Sequence, residues 1–371
     1  MSSTYDPTAV RDRVFSEIKA KVQATRGGPA YTEPMTPSTP KPADPLFNHD
    51  EPDRTGYVWL STLVPNWVPG KVPDVLVQVF DKAAYSESIQ ARVPDVDPFY
   101  RPNLKALSML AYAIENSDTG ILLTGAPSVG KSSLANYLAA ITNRPMYRFN
   151  YNGTMDASSL IGTQSASGGS THWHDGMITE AIQVENAIVL HDEWTFAPAE
   201  VIAAMQYLLE RNGKLILADK PGTVADKTIV PAKGVRMVFA DNTKGNGDVT
   251  GKFVGTQPQN SATIDRIGTF IEVHFLEEAD EVAMLRSMFP QATLKLVNSC
   301  VKVANLCRSA YAQGQVSTIM SLRVLSSWIQ HSLNLRDVDA ALEISFLNRF
   351  DDPSEKEAIK GFVNVVMGKG R

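Results

Sequence analysis

The chain has 371 residues, 43% of them hydrophobic, which is enough for one large domain and a smaller one. Its 35 lysines and arginines against 40 aspartates and glutamates give a formal net charge of -5, which argues against a protein that coats nucleic acid. Two cysteines exclude a disulfide framework, and the lack of an apolar signal core or of an apolar stretch near ~18–20 residues predicts a cytoplasmic protein without a membrane span.

Residues 1–56 are expected to form a short helix followed by a flexible proline-rich linker. Val10, Val14 and Ile18 recur at helical spacing near the start of the chain. Between residues 26 and 54 the sequence contains seven prolines and almost no aliphatic side chains, a composition typical of extended or disordered segments. Because few apolar side chains can offset the entropy lost on ordering, this linker is predicted to be mobile.

Residues 57–276 show an alternation of apolar strands and helical segments. The predicted strands lie at residues 121–123, 145–150, 188–191, 235–240 and 270–275. Helical patterns separate them, most clearly at residues 198–212, and a further helix is expected at residues 104–114. This alternation predicts an α/β domain whose parallel sheet is covered by helices on both faces.

The segment from Gly125 to Ser132 fits G-x-x-x-x-G-K-S, the pattern of a phosphate-binding loop. An apolar strand precedes it and apolar residues at helical spacing follow it, a context that an ordinary glycine-rich turn lacks. Backbone N–H groups and the helix N-terminus favour phosphate, Lys131 is expected to contact the β- and γ-phosphates, and the Ser132 hydroxyl is expected to ligate Mg²⁺. The predicted nucleotide-binding residues are Gly125, Ala126, Pro127, Ser128, Val129, Gly130, Lys131, Ser132 and Ser133.

Polar residues follow the third and fourth of these strands. Asp192 and Glu193 come directly after residues 188–191, so they are expected at the carboxyl end of the sheet, beside the phosphate loop. Asp192 is predicted to hold Mg²⁺ and Glu193 to polarise the attacking water. Asn242, after the fourth strand, is a candidate sensor of the γ-phosphate, with a turn asparagine as the alternative.

Two arginines complete the candidate catalytic set. Arg266 lies just before the fifth strand, where it is expected to reach the nucleotide of a neighbouring subunit. Arg323 begins a helix in the C-terminal part and is expected to touch the γ-phosphate from there. Cations of this kind neutralise charge on the transferring phosphoryl group, although either arginine alone also fits a solvated surface charge.

Residues 277–371 are predicted to form a separate helical domain. Helical patterns cover residues 278–289, 291–313, 321–334, 338–350 and 354–369, and strand patterns vanish. Cys300 and Cys307 fall on one apolar helical face, which favours buried core thiols over a metal pair.

These features together resemble the MoxR group of AAA+ ATPases, and most of all its CobS-type members, the ATPase subunits of aerobic cobaltochelatase. The resemblance extends from about Val77 to the C-terminus. The segments that carry it are, in order, residues 93–98 (VPDVDP), the phosphate loop, Asp192-Glu193, residues 205–210 (MQYLLE), 239–243 (FADNT), 255–257 (GTQ), Asp265-Arg266, residues 317–323 (STIMSLR) and 346–349 (FLNR). Such a run of matches is far more specific than the loop alone.

The resemblance implies an AAA+ P-loop core with a C-terminal helical lid and two inserted β-hairpins, near residues 162–177 and 214–231. It implies Walker A roles for Lys131 and Ser132, Walker B roles for Asp192 and Glu193, sensor roles for Asn242 and Arg323, and a trans-acting role for Arg266. It also implies ATP and Mg²⁺ as cofactors, a homo-oligomer in the form of a hexameric ring, and a partner protein with a von Willebrand A domain.

Some features depart from the family pattern. Leu322 stands where the family usually has a proline before its sensor-2 arginine. The first hairpin is polar and short, and the proline-rich front is extra. His172 and His174 lie in that hairpin without a partnering cysteine or carboxylate cluster, so a flexible loop is expected there rather than a metal site.

Three functions remain open at this point. The first is a ring-forming ATP-driven motor that remodels a partner protein. The second is the ATPase subunit of a chelatase that inserts cobalt into a corrin ring, which shares the same site and differs in its client. A nucleic-acid motor or a nucleotide-gated switch is the third; the acidic balance counts against the former and Glu193 against the latter, because binding alone needs no catalytic base.

Overall fold

The computed structural model describes residues 56–167, 169–248 and 255–368. The helix and linker expected within residues 1–56 lie outside these ranges, apart from Gly56. The strands are β1 (Tyr57–Trp59), β2 (Leu76–Gln78), β3 (Ile121–Thr124), β4 (Met146–Asn150), β5 (Gly162–Ser167), β6 (Ser170–Asp175), β7 (Ile188–Asp192), β8 (Leu215–Ile216), β9 (Thr228–Ile229), β10 (Arg236–Asp241) and β11 (Thr269–Glu272).

The α-helices follow the same order along the chain. They are α1 (Glu87–Gln90), α2 (Leu104–Asn116), α3 (Lys131–Thr142), α4 (Ala157–Ile161), α5 (Met177–Ile182), α6 (Ala199–Ala203), α7 (Ser261–Asp265), α8 (Glu278–Met288), α9 (Leu294–Ala312), α10 (Leu322–Leu335), α11 (Val338–Ser345) and α12 (Pro353–Met367). Short 3₁₀ turns lie at Leu60–Thr62, Lys82–Ala84, Trp194–Phe196, Gln206–Leu209 and Leu347–Arg349.

Five parallel strands form the central sheet in the order β11-β3-β10-β7-β4. Alternate residues of β3 enter two different cores: Ile121 and Leu123 pack with α2 and α3, whereas Leu122 packs with Phe239 and Trp194 on the other face. This double burial is the reason for the uninterrupted apolar sequence of the strand. The α/β fold with helices on both faces is therefore confirmed.

Two antiparallel hairpins project from the core where hairpins were expected. The first hairpin pairs β5 with β6, and the second pairs β8 with β9. The Gln164 side chain of the first donates a hydrogen bond to the main-chain carbonyl of Asp219 in the second. His172 and His174 lie on β6, where the Ser165 hydroxyl is 2.7 Å from the ring of His174, so the expectation of a flexible loop was wrong.

From α8 to residue 368 the described chain contains helices and no strand, as predicted. Trp328 and Phe346 are fully buried in the core of this part. Cys300 and Cys307 lie in the same core, and burial raises the pKa of each thiol to about 12. The division of the chain into separate domains at residue 277 stays a prediction. Of the helices within the described ranges, none is both long and apolar enough to cross a membrane.

One helix prediction was wrong. The single helix expected at residues 198–212 is α6 followed by a 3₁₀ turn at Gln206–Leu209. Met205, at φ -109° and ψ 7°, leaves the helical region, and its carbonyl accepts from the N–H of Leu208 three residues on. Apolar residues three apart suit a 3₁₀ turn as well as an α-helix, so the spacing alone did not separate the two.

Candidate active site

The phosphate loop joins β3 to α3 in a conformation that its glycines permit. Gly125 has φ +143°, and a Cβ at this position would lie 2.2 Å from the carbonyl oxygen of Val273. Gly130, the N-cap of α3, has φ +96°. Since the first N–H groups of a helix have no partner within it, those of α3 remain available to an anion at this end of the loop.

Lys131 is held inside the loop by three oxygen acceptors. Its ammonium donates to the carbonyls of Gly125 and Ala126 at 3.0 and 3.1 Å and to Oδ1 of Asn242 at 2.6 Å. The side chain is only 8% exposed, and desolvation lowers the pKa of Lys131 to about 8. The structure therefore brings the predicted phosphate lysine and the predicted sensor amide into direct contact across 111 residues of sequence.

Ser132 and Asp192 are also in contact. The Ser132 hydroxyl donates to Oδ2 of Asp192 at 2.7 Å, and Asp192 is only 6% exposed. The same Oδ2 receives the guanidinium of Arg148, on the neighbouring strand β4, at 2.5 Å. A hydroxyl and a carboxylate at this separation match the oxygen ligands that Mg²⁺ takes in nucleotide sites.

Glu193 occupies a strained position where β7 ends. It has φ +56°, a left-handed conformation that is uncommon outside glycine, and its N–H donates to the carbonyl of Ala240 at 3.0 Å. This turn leaves the Glu193 side chain exposed in the cavity wall while the next residue, Trp194, is fully buried. Strain of this kind is common where a fold holds a reacting group.

Asp241 fixes the loop that carries Asn242. One carboxylate oxygen accepts from the Thr195 hydroxyl at 2.8 Å. The other accepts from the N–H and hydroxyl of Thr243 and from the N–H of Gly245, at 3.0, 2.8 and 2.8 Å. Asp241 is only 3% exposed, so these bonds are shielded from water and hold the amide of Asn242 against Lys131.

A cavity of about 610 Å³ lies between the phosphate loop and the helical part of the chain. Its sheet side is lined by seven of the nine predicted nucleotide-binding residues (Pro127 to Ser133) and by Asp192, Glu193 and Asn242. Arg323, the second residue of α10, lines the opposite side and is exposed. Gly125 and Ala126 are placed by the loop, and their carbonyls face Lys131 instead.

Arg266 is not among the described residues that line the cavity. It follows α7, and its guanidinium bonds to Glu210 at 2.8 Å and to the carbonyl of Ala262 at 2.7 Å. The side chain is 32% exposed. A single chain therefore does not bring Arg266 to the other predicted catalytic residues.

Sequence reasoning missed several residues of the cavity. Arg148 was seen only as part of a strand, although a cation in an otherwise apolar parallel strand was a usable signal. Tyr100 lies just after the segment at residues 93–98 and packs on Tyr137 with ring centroids 5.2 Å apart; burial raises its pKa. Phe275 and Glu281 reach the cavity from the start of the helical part, and no local pattern marked them.

The sequence assigned no metal to His172 and His174, and that assignment stays a prediction. Within residues 56–167, 169–248 and 255–368, no group of three or more His, Cys, Asp or Glu side chains is arranged to hold a metal ion. His191 is buried beside Asp192, and its Nδ1 lies 2.6 Å from the Tyr151 hydroxyl. Desolvation lowers the pKa of His191 to about 3.

Comparison with known proteins adds independent information about the same region. The model of the family described as "AAA domain (dynein-related subfamily)" matches residues 120–266. The chain is 30% identical to the aerobic cobaltochelatase subunit CobS of a Sinorhizobium species over 278 residues, which cover 72% of this chain and 81% of that protein. It is 26% identical to protein NorQ of Paracoccus denitrificans over 275 residues, covering 73% and 94% of the two chains.

Solved structures resemble the chain more distantly. The Holliday junction branch migration motor RuvB from Thermotoga maritima gives a TM-score of 0.41 at 13% identity and covers 68% of this chain and 72% of that one. A likeness at this level carries no argument about function.

Proposed function

Because the chain belongs to the MoxR group of AAA+ ATPases, which bind and hydrolyse ATP, we propose that it is a ring-forming motor that uses this hydrolysis to remodel a partner protein. The observation that supports this proposal best is the cavity on which five predicted residues converge. These are Lys131, Ser132, Asp192, Glu193 and Asn242. Arg323 reaches the same cavity from the helical part.

The roles within the cavity follow from the contacts. The Lys131 ammonium donates to two carbonyls of the phosphate loop. When ATP binds, phosphate oxygens replace these two acceptors, because a charged acceptor forms the stronger hydrogen bond. Asn242, bonded to Lys131, orients the attacking water and senses the γ-phosphate. Glu193, whose carboxylate is exposed at the cavity wall, accepts the proton of that water.

The residues present fit a magnesium ion. The Ser132 hydroxyl and the Asp192 carboxylate, 2.7 Å apart, would hold it. When bound, Mg²⁺ supplies charge neutralisation at the β- and γ-phosphates. Arg148 balances the charge of Asp192, since its guanidinium lies 2.5 Å from the Oδ2 atom that also accepts from Ser132.

The position of Arg266 supports an assembly. Its guanidinium is tied to Glu210 outside the cavity, so it is available to a nucleotide only if a second subunit faces it. We therefore assign to Arg266 the stabilisation of charge on the phosphoryl group held by the neighbour. A closed homo-oligomeric ring, which we propose to be a hexamer, satisfies every such interface at once.

The two hairpins are the proposed contact surfaces for the partner. The tip of the second hairpin carries Val224, which is 81% exposed, and the two hairpins are hydrogen-bonded to each other through Gln164. An exposed apolar residue on a projecting hairpin favours contact with protein. By the family resemblance, the partner is a protein with a von Willebrand A domain.

A capture experiment tests this proposal. The full chain with Glu193→Gln, which we expect to bind ATP and not release it as ADP, is used as bait with ATP and Mg²⁺ in extract of the native host. Recovery of a von Willebrand A protein that is lost in a Lys131→Ala bait supports the motor. Capture that is equal with the two baits contradicts an ATP-dependent partner.

A second candidate function rests on the 30% identity to CobS, a subunit of aerobic cobaltochelatase. In that case the chain would drive cobalt insertion into a corrin ring as part of a larger enzyme. Recovery of a large chelatase subunit in the same capture, in place of a von Willebrand A protein, supports this alternative. A nucleic-acid motor is disfavoured by the net charge of -5.

A further inference from the structure

Arg308 is the most heavily bonded buried cation in the helical part of the described chain. It lies on α9 and is 7% exposed, and Glu281 on α8 is 2% exposed. The two side chains form a two-pronged ion pair, with Nη1 and Nη2 each 2.7 Å from a carboxylate oxygen. The charge of Arg308 is therefore already balanced and is not available to a ligand.

Besides a bond from Nη1 to Oδ1 of Asn305 at 3.1 Å, Arg308 has a contact that leads to the start of α10. Its Nε donates to the main-chain carbonyl of Met320 at 2.9 Å. The next residue, Ser321, is the N-cap of α10, and its hydroxyl accepts from the N–H of Val324 at 3.3 Å. Arg323 is the second residue of that helix. The bond to Met320 thus fixes the point from which Arg323 extends into the cavity.

The same guanidinium also touches the segment that connects the sheet to the helices. Its central carbon lies 4.1 Å from the ring centroid of Phe275, in a cation–π contact. Phe275, Glu281 and Arg323 all line the nucleotide cavity, whereas Arg308 does not. Arg308 therefore connects α8, the start of α10 and the segment at Phe275, each of which contributes a residue to the cavity wall, although Arg308 itself does not line the cavity.

We propose that Arg308 is a positioning residue that sets the distance of Arg323 from the γ-phosphate. The inference rests on the proposed γ-phosphate contact of Arg323 and goes beyond it. If the bond to Met320 is lost, α10 starts from a less defined point and Arg323 no longer meets the γ-phosphate at hydrogen-bonding distance. ATP, which has that phosphate, is then bound less tightly, and ADP, which lacks it, is not affected.

The test is the variant Arg308→Lys, which keeps the charge opposite Glu281 but lacks the planar guanidinium whose three nitrogens bond to Glu281 and Met320. ATP and ADP dissociation constants are measured by titration in the full chain carrying Glu193→Gln, so that ATP persists. We expect ATP affinity to fall about tenfold, the value of one charged hydrogen bond, and ADP affinity to stay within about twofold.

A double-mutant cycle with Arg323→Ala shows whether the effect passes through Arg323. If it does, Arg308→Lys causes no further loss of ATP affinity once Arg323 is alanine. Equal loss for ATP and ADP, no loss at all, or an undiminished loss in the Arg323→Ala background would each overturn the proposal. If Arg323→Ala alone leaves ATP affinity unchanged, the assigned contact of Arg323 fails, and the positioning role fails with it.

Arg144 provides a matched control. It is also a buried arginine, 3% exposed, paired with Glu115 at 2.8 Å and placed over the Phe80 ring at 4.7 Å, but it lies away from the cavity. Arg144→Lys should lower the melting temperature in the same way without changing the ATP to ADP ratio. Should Arg308→Lys not fold, Arg308→Met with Glu281→Met removes both buried charges together and gives the same ATP-selective loss.

Discussion

The phosphate-loop cluster around Lys131 and the surface site around Arg266 differ in how deeply the cation is buried. They also differ in whether one chain supplies all the residues that the proposed role needs. Lys131 is 8% exposed, lines the cavity and is bonded to three oxygens of its own chain. Arg266 is 32% exposed, bonded to Glu210 and outside that cavity. The contacts proposed to bind phosphate are thus built within one chain, whereas the charge neutralisation that we propose for Arg266 requires a second chain.

The largest effects are expected inside the self-contained cluster. Lys131→Ala should abolish ATP binding, because the loop loses its one ammonium.

Glu193→Gln should keep ATP bound and lower turnover roughly 10²–10⁴-fold, because a general base acts in the transition state and not in the ground state. Binding by titration and turnover by phosphate release separate the two. If Glu193→Gln hydrolyses ATP like the parent, another residue is the base.

A slightly smaller loss of ATP turnover is expected from substitution of Arg266. Arg266→Ala should bind ATP almost normally and lose turnover by roughly 10²–10³-fold, because the charge that Arg266 meets develops during phosphoryl transfer. Turnover of the parent should also rise with protein concentration as subunits assemble. Steady-state ATPase assays across a concentration series measure both effects.

Mixing two variants tests whether Arg266 acts on the nucleotide of a neighbouring subunit. Arg266→Ala and Lys131→Ala are each expected to have little or no activity alone, but a mixed assembly would contain some interfaces with an intact loop and an intact arginine. Partial recovery of ATPase activity supports a shared site. No recovery, when co-assembly has been demonstrated by light scattering, counts against action in trans.

A more moderate effect is expected from pH. The pKa of Lys131 is lowered by burial from 10.5 to about 8, so the ammonium that phosphate requires is lost as pH rises through 8. ATP affinity should fall by up to about tenfold between pH 8 and 9. Between pH 8 and 10.5 the unfolded chain holds more protons at this lysine, so its contribution to the free energy of unfolding rises with pH.

Lys131→Arg is the control for this titration, because a guanidinium stays protonated across the range. Its ATP affinity, whatever its absolute value, should show a flatter dependence on pH than that of the parent. Parallel curves for the two proteins would mean that another group titrates.

The smallest effect is expected from removing a helix cap near Arg266. Asn260 caps α7, the helix before Arg266, and accepts from the N–H of Ala262 at 2.8 Å. Asn260→Ala should cost about 1 kcal/mol of stability and also lower turnover, because the cap helps to place Arg266. Asp337→Ala, which removes a similar cap from α11, should cost the same in unfolding experiments and leave turnover unchanged.

The sequence predicted those parts of the site that depend on neighbours along the chain. The phosphate loop, Asp192-Glu193 and Asn242 each follow an apolar strand, so a single pattern of spacing located them. The contact of Asn242 with Lys131 was not predicted, although the carboxyl ends of parallel strands meet at one edge of a sheet and so bring the two residues close together.

Other parts depended on contacts between distant segments. Arg148 meets Asp192 only because β4 lies beside β7, and strand order is not written in local periodicity. Arg308 meets Glu281 across 27 residues and two helices, and each residue alone looks like an ordinary charge on a helix. The break at Met205 was missed because its apolar neighbours fit both kinds of helix.

The hydrogen bond between the hairpins runs from the side chain of Gln164 to the main-chain carbonyl of Asp219. A main-chain acceptor is present whatever side chain stands at position 219, whereas the donor at position 164 is not replaceable in that way. The tip of the second hairpin is therefore free to diverge in sequence while it stays attached to the first. Substitutions along the tip can therefore accumulate without removing the acceptor through which the two hairpins are joined.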